Sequence, residues 1–194
     1  MIAVVLKLIV RIGLVIAVVV VVVTVFSRYR GQNCQMIGAA VAHADEDCLH
    51  QHAISTRWAE AQQQQLTMSW APETTGLLFT EANGENPTTI TSGQSGTEFQ
   101  LALQYLQTYP SSVVKDLPKG QQAAGHAEAK AAALMRHDGD SYGVLVINNP
   151  DGPCPYVSGI GCEVAMRLIL PKGSTIVVWW PGGKSKVFEG TAQS

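Results

Sequence analysis

Two patterns of apolar residues alternate along the second half of the chain, and together they predict an α/β layered fold. Short runs rich in β-branched and aromatic residues predict five strands, at residues 76–80, 88–91, 142–147, 175–180 and 185–188. Apolar residues at helical spacing predict three helices, at residues 97–109, 126–136 and 162–170. Asn83 and Gly84 form a turn signal between the first two strands, which should pair as a hairpin. We therefore expect a mixed sheet of about five strands with flanking helices.

The beginning of the chain has a different character. Residues 12–26 are continuously apolar and rich in Val, and residues 2–10 extend the run around Lys7 and Arg11. The extended run is long enough to span a bilayer if the two bases reach towards the interface. Small-x-small sites suited to signal-peptide cleavage occur only at residues 40–44, far beyond the run. We therefore expect an uncleaved, single-pass signal-anchor at residues 1–27, with export through this segment as the alternative.

Residues 28–71 are polar and are expected to form a juxtamembrane spacer. Cys34 and Cys48 lie within it, and outside the cytoplasm a disulfide between them is the simplest interpretation. His50 and His52 follow closely, so a Cys/Cys/His/His zinc site is the alternative, although its spacing matches no familiar zinc finger. The spacer should include a polar helix near residues 54–66. The globular domain is then expected to occupy residues 72–194.

The candidate chemistry is carried by His126, Glu128, Cys154 and Cys162. A His followed two residues later by Glu, then by Pro-Cys and a second Cys, is the pattern of zinc-dependent nucleobase deaminases. One imidazole and two thiolates can hold Zn²⁺ and leave a fourth position for water. A carboxylate beside the metal carries protons in that chemistry, and Glu128 is placed for this role. Two isolated Cys are more often buried thiols or a structural clip, but here a predicted helix, strand and turn connect His126 to Cys154 in the order that a deaminase needs.

Several short stretches resemble the DddA-like bacterial deaminase toxins, over roughly the last 120 residues, the size of one ordinary domain. They are residues 126–136 (HAEAKAAALMR), Ile147-Asn148-Asn149, Pro153-Cys154, Gly161-Cys162 and residues 170–174 (LPKGS). The resemblance implies a cytidine-deaminase-like fold, a zinc ion on His126, Cys154 and Cys162, and conversion of cytosine to uracil, in the founding member within double-stranded DNA. It also implies an antagonistic toxin that acts in the cytoplasm of a target cell, and a cognate immunity protein as partner. In one respect the sequence departs from the wider superfamily: seven residues lie between the two Cys, where the P-C-x-x-C signature has two.

Three residues near the predicted metal are candidates for substrate contact. Asn148 and Asn149 follow the central strand, and each either hydrogen-bonds the substrate or caps the loop in an Asx turn. Tyr156 is the only aromatic residue between the two Cys. It either stacks on a base, or fills the gap that an extruded base leaves, or packs against the zinc-site core. Trp179 and Trp180 are adjacent on a predicted strand, so their side chains should face opposite ways.

Charge weakens the case for a polymeric substrate. From residue 73 onward, 8 Lys and Arg stand against 11 Asp and Glu, whereas phosphate contacts normally need a basic face. We predict a membrane-tethered, zinc-dependent cytosine deaminase acting on DNA. One alternative keeps the chemistry and changes the substrate to single-stranded DNA, RNA or a free nucleotide. Another is a non-catalytic, membrane-anchored binding module with structural zinc, which would need a fourth protein ligand and would give Glu128 no role.

Overall fold

The computed structural model describes residues 48–66, 73–110, 122–154 and 161–193. In these ranges four helices of eight or more residues occur: α1 Thr56–Gln63, α2 Thr97–Gln107, α3 Ala127–Asp138 and α4 Cys162–Ile169. Five strands occur: β1 Thr75–Thr80, β2 Thr88–Thr91, β3 Tyr142–Ile147, β4 Thr175–Trp180 and β5 Lys184–Glu189. The five strands and the last three helices confirm the elements predicted from the apolar pattern.

One mixed sheet contains all five strands, in the order β2-β1-β3-β4-β5. β3 and β4 are parallel, and every other neighbouring pair is antiparallel, including the predicted hairpin of β1 and β2. The central strand β3 is apolar on both faces and is fully buried over residues 144–147. Since β3 and β4 are parallel, their carboxyl ends meet at one edge of the sheet, where the loop that leads to Cys154 also begins. The α/β prediction is confirmed.

The first face of the sheet is covered by α2, α3 and α4. Helix α3 is rich in Ala, and eight of its twelve residues are buried, including all of the first seven. Small side chains let a helix approach the sheet and its neighbouring helices closely, so α3 lies inside the protein rather than on its surface. The helix begins after His126, whose ψ of 144° is extended, and it ends at Gly139, whose φ of 81° is left-handed. The amino end of a buried helix is therefore where the His-x-Glu pair lies.

The second face of the sheet is covered by residues 48–66. A separate apolar cluster joins this segment to the sheet, and it consists of Leu49, Ala53, Ala59 and Leu66 with Leu77, Phe79, Val144, Val146, Val177 and Trp179. The Trp179 indole Nε1 donates a hydrogen bond to the Ala53 carbonyl oxygen at 3.1 Å. The predicted spacer helix is thus a packed layer of the fold, and residues 45–194 form one compact unit.

The predicted signal-anchor at residues 1–27 lies outside the described residues, as does Cys34. Among the described helices none is both long enough and apolar enough to cross a bilayer. Cys48 is disulfide-bonded. Its sulfur comes close to donor atoms of His52 and Glu85, but a disulfide sulfur is not the thiolate that zinc binds. The bonded state of Cys48 favours the disulfide interpretation over the Cys/Cys/His/His zinc site, whose other cysteine, Cys34, lies outside the described residues.

Candidate metal centre and active site

Three separate segments bring His126, Glu128, Cys154 and Cys162 to one end of the fold. His126 is the N-cap residue of α3 and Glu128 lies in its first turn. Cys162 is the first residue of α4, and Cys154 follows the loop after β3. The amino ends of both helices carry partial positive charge, which favours thiolates and a carboxylate at this position. The fold thus gathers the four residues that the sequence singled out.

The nitrogen and sulfur atoms of this group are close enough to share one ion. The distance from His126 Nδ1 to Cys162 Sγ is 2.6 Å, and that from His126 Nδ1 to Cys154 Sγ is 3.5 Å. The Cys162 amide donates a hydrogen bond to Cys154 Sγ at 3.0 Å, and all three donor atoms lie within 4.8 Å of one another. Both cysteines are free. One imidazole and two thiols fit a transition-metal site with three protein ligands and an open position.

The two thiols and the imidazole shift one another's pKa values through short contacts. The hydrogen bond from the Cys162 thiol, aided by one from His126, lowers the pKa of Cys154 to about 4. The same contact with Cys154, together with burial, raises the pKa of Cys162. The hydrogen bond with Cys154 also raises the pKa of His126. Because zinc binds thiolates and a neutral imidazole, loading a metal here would release protons from this group.

Glu128 is a buried carboxyl group beside the three candidate metal ligands but not among them. Its side chain is 2 % exposed, and burial raises its pKa above the ordinary value. Glu128 is not part of the group of three possible metal ligands in the described residues. The raised pKa brings the neutral and the charged form of the carboxyl group closer in free energy. Such a group is suited to accept and to donate protons. This position matches the role expected of Glu128.

A cavity of about 360 Å³ opens onto these residues. Its size lies at the small end of the range for small-molecule sites, which is ~300–1,000 Å³. Beyond the four motif residues, the cavity is lined by Thr74, Ser92, Gly93, Gln94, Gln122, Gly125 and Asn149. No sequence motif marks the wall formed by residues 92–94, because that loop is brought to the site by tertiary contacts, among them the pairing of β2 with β1.

The predicted substrate-contact residues lie in different surroundings. Asn149 lines the cavity, but its Nδ2 donates to the Gly152 carbonyl at 2.8 Å and its Oδ1 accepts from the Asp151 amide at 3.2 Å. These bonds are those of an Asx turn. Asn148 Oδ1 accepts a hydrogen bond from the Thr75 amide at 2.8 Å, so this side chain ties β3 to β1 and is not among the residues that line the cavity. Tyr156 lies outside the described residues.

Trp180 supports the loop that carries Cys154. Gly152 has a left-handed φ of 73°, and a Cβ atom added there would lie 2.7 Å from Cε2 of the Trp180 indole. Only glycine combines this backbone conformation with such a close approach. Trp180 packs against the helix-covered face of the sheet, whereas Trp179 is buried on the opposite face. The expectation that the two indoles face opposite ways is confirmed.

A mixed five-stranded sheet, a His-x-Glu helix start and two free cysteines at a small cavity are the arrangement expected of a nucleobase deaminase. The SCP1.201-like deaminase family matches residues 51–194. The chain belongs to this family, and its resemblance to the DddA-like toxins is confirmed. Membership of a deaminase family favours an enzyme over the non-catalytic binding module that the sequence left as an alternative.

Among similar proteins is the double-stranded DNA deaminase toxin A of Burkholderia cenocepacia (strain H111). It is 33% identical to this chain over 76 residues. That match covers 37% of the chain and 5% of the length of the toxin. The family match begins at residue 51 and so includes the layer formed by residues 48–66, apart from its first three residues.

Proposed function

We propose that this protein is a zinc-dependent deaminase that converts cytosine to uracil in DNA, and that it serves as an antagonistic bacterial toxin. The observation that carries the proposal is the buried Glu128 carboxyl, which lines the same small cavity as a group of one imidazole and two cysteine thiols. DNA as the polymer is supported by the similarity to a double-stranded DNA deaminase toxin. Double-stranded DNA is the substrate form that we favour.

The residues of the site divide the work of hydrolysis. His126, Cys154 and Cys162 would hold the zinc ion, which when bound supplies an activated water as the nucleophile. As a bond forms between the water oxygen and the ring carbon that bears the amine, Glu128 accepts a proton from the water. Glu128 donates this proton to the ring nitrogen, then accepts the second proton from the new hydroxyl group on the ring carbon and donates it to the departing amine. The carbon–nitrogen bond breaks, ammonia leaves and uracil remains.

Sequencing DNA from cells that express the chain tests the base and the polymer together. We expect C·G to T·A changes with the parent and none above background with Glu128→Ala. Removing a general acid–base typically lowers rates by ~10²–10⁴-fold. Because Glu128 is not a ligand, its replacement should leave the zinc content of the purified protein unchanged. An unaltered genome in cells that the parent kills would contradict DNA deamination as the toxic activity.

The form of the nucleic acid is a separate choice. The excess of Asp and Glu after residue 73 supports single-stranded DNA, RNA or a free nucleotide as the alternative substrate. Rates on matched double-stranded and single-stranded oligonucleotides, on RNA and on cytidine would rank the substrates directly. If Tyr156 fills the gap left by an extruded base, Tyr156→Ala should reduce the rate on duplex DNA far more than on a single strand. Equal losses would remove Tyr156 from this role.

The proposal also covers where the protein is located and which partner it has. Residues 1–27 would anchor the protein in the membrane or export it, and the enzyme would act in the cytoplasm of a target cell. A producer of such an enzyme needs protection, so we infer a cognate immunity protein. Membrane fractionation of the full chain, compared with a variant carrying Val18→Lys and Val21→Lys, tests the anchor, because two charges in the apolar run should release the protein into the soluble fraction.

A further inference from the structure

Lys130 is a buried cation on the helix that carries Glu128. Its side chain is 4 % exposed, although Lys is among the residue types least often buried without partners. Burial lowers the pKa of Lys130, while Glu98 and Glu73 favour its charged form. A buried, charged lysine needs hydrogen-bond acceptors that offset the free-energy cost of removing it from water. The hydrolytic steps derived above give Lys130 no role.

The acceptors of Lys130 lie at the two ends of one loop. Its Nζ donates hydrogen bonds to the Thr91 and Ser95 carbonyl oxygens, both at 3.0 Å. Thr91 is the last residue of β2, and Ser95 lies just before α2. Between these two carbonyls, residues 92–94 form part of the cavity wall. Lys130 therefore connects the helix that carries Glu128 to a wall of the cavity.

The loop itself has the composition of a mobile segment. Its sequence is Ser92-Gly-Gln-Ser-Gly96, and both glycines have left-handed φ values, 131° for Gly93 and 90° for Gly96. Glycine loses more conformational freedom on ordering than any other residue. A second contact holds the middle of the loop, where the Gly93 amide donates to the Gly125 carbonyl at 2.7 Å, directly before His126. The two hydrogen bonds from the charged Lys130 Nζ restrict a loop whose composition alone would leave it mobile.

We propose that Lys130 is a positioning residue that holds residues 92–96 as a preformed wall of the cavity, and that Gln94 on this wall contacts the substrate. This inference rests on the proposed deaminase function. The Gln94 side chain lines the cavity and is solvent-exposed. Its amide offers a donor and an acceptor, as the edge of a pyrimidine does. The Asn149 amide, in contrast, already makes the bonds of its own turn.

The test compares Lys130→Met with the parent in the zinc-loaded full chain. Met keeps the length of the apolar stem and removes all three donors. We expect faster hydrogen exchange at the amides of residues 92–96, and a KM for oligonucleotide substrate raised about tenfold, equivalent to ~1.4 kcal/mol. The kcat should change less than about twofold, because a loop that orders on binding reduces affinity without altering the bound site. Lys130→Arg, which keeps charged donors, should recover part of the loss.

Lys172→Met is the control for the loss of one positive charge, because Lys172 is exposed on the surface. It should leave exchange at residues 92–96 unchanged. Unaltered exchange in Lys130→Met, or a fall in kcat with constant KM, would overturn the positioning role. If Lys130→Met does not fold, Gln94→Ala decides: a raised KM with constant kcat supports the loop as a substrate wall, and an unchanged KM overturns it. If the parent deaminates no substrate, the deaminase proposal has failed, while hydrogen exchange still decides the role of Lys130.

Discussion

Replacing Trp179 with Phe should loosen the layer formed by residues 48–66 without touching the active site. Trp179 is 4 % exposed, and its indole Nε1 donates to the Ala53 carbonyl oxygen at 3.1 Å. Phe fills most of the same space but has no donor. The buried carbonyl then lacks its partner, which costs ~1–3 kcal/mol. This cost lowers the free energy of opening the layer, because Ala53 leaves the sheet only when residues 48–66 detach.

Trypsin offers a direct readout of that opening, since Arg57 lies on the exposed side of α1. A protease cuts within a helix only after local unfolding, and the rate follows the population of the open form. A loss of ~2 kcal/mol should raise the cleavage rate after Arg57 about 30-fold. Trp180→Phe is the matched control, because Trp180 packs on the other face. A change below about twofold in Trp179→Phe, or an equal change in both variants, would refute the packing argument.

Three further predictions concern the metal site, its supporting loop and acid stability. Cys162→Ala should remove zinc, measured by elemental analysis, and lower the melting temperature together, because site formation is coupled to folding. Gly152→Ala should lower the melting temperature more than Gly173→Ala: both glycines have left-handed φ values, but only the new Cβ at Gly152 meets Trp180, and equal losses would contradict this. Burial lowers the pKa of His52 below its ordinary 6.5, so its contribution to stability is complete above that value and is lost as the pH falls. The melting temperature should therefore drop between pH 7 and 5 by a larger amount in the parent than in His52→Phe, and equal drops would exclude His52 as a cause.

The strands and the residues of the candidate metal site could be predicted because their signals are local. An apolar run of six residues predicts a strand wherever it occurs, and β3 and β4 follow this rule. The chemistry of zinc restricts ligands to a few residue types, so His126, Cys154 and Cys162 stood out among the surrounding residues. Glu128 was predictable from its place two residues after the imidazole. None of these inferences needed knowledge of tertiary contacts.

The layer at residues 48–66 could not be predicted, because its decisive contacts are distant in sequence. Helix α1 buries only Ala59 fully and otherwise carries mostly polar residues, so its pattern is that of a solvated spacer. The hydrogen bond from Trp179 to Ala53 joins residues 126 positions apart. The partner of Asn148 was hidden from the sequence for the same reason. Its partner is the Thr75 amide on a neighbouring strand, and only the register of β1 with β3 reveals it.

Two consecutive residues of β4, Trp179 and Trp180, face opposite sides of the sheet and so support different parts of the protein. Trp179 faces the layer at residues 48–66, and Trp180 faces the loop that carries Cys154. A change at Trp179 should therefore alter the opening of that layer and leave KM and zinc affinity unchanged. A change at Trp180 should act in the opposite way, through the position of Gly152 and of the Cys154 thiolate beyond it. Because side chains alternate across a strand, a single sheet can close its core on one face and support a metal ligand on the other.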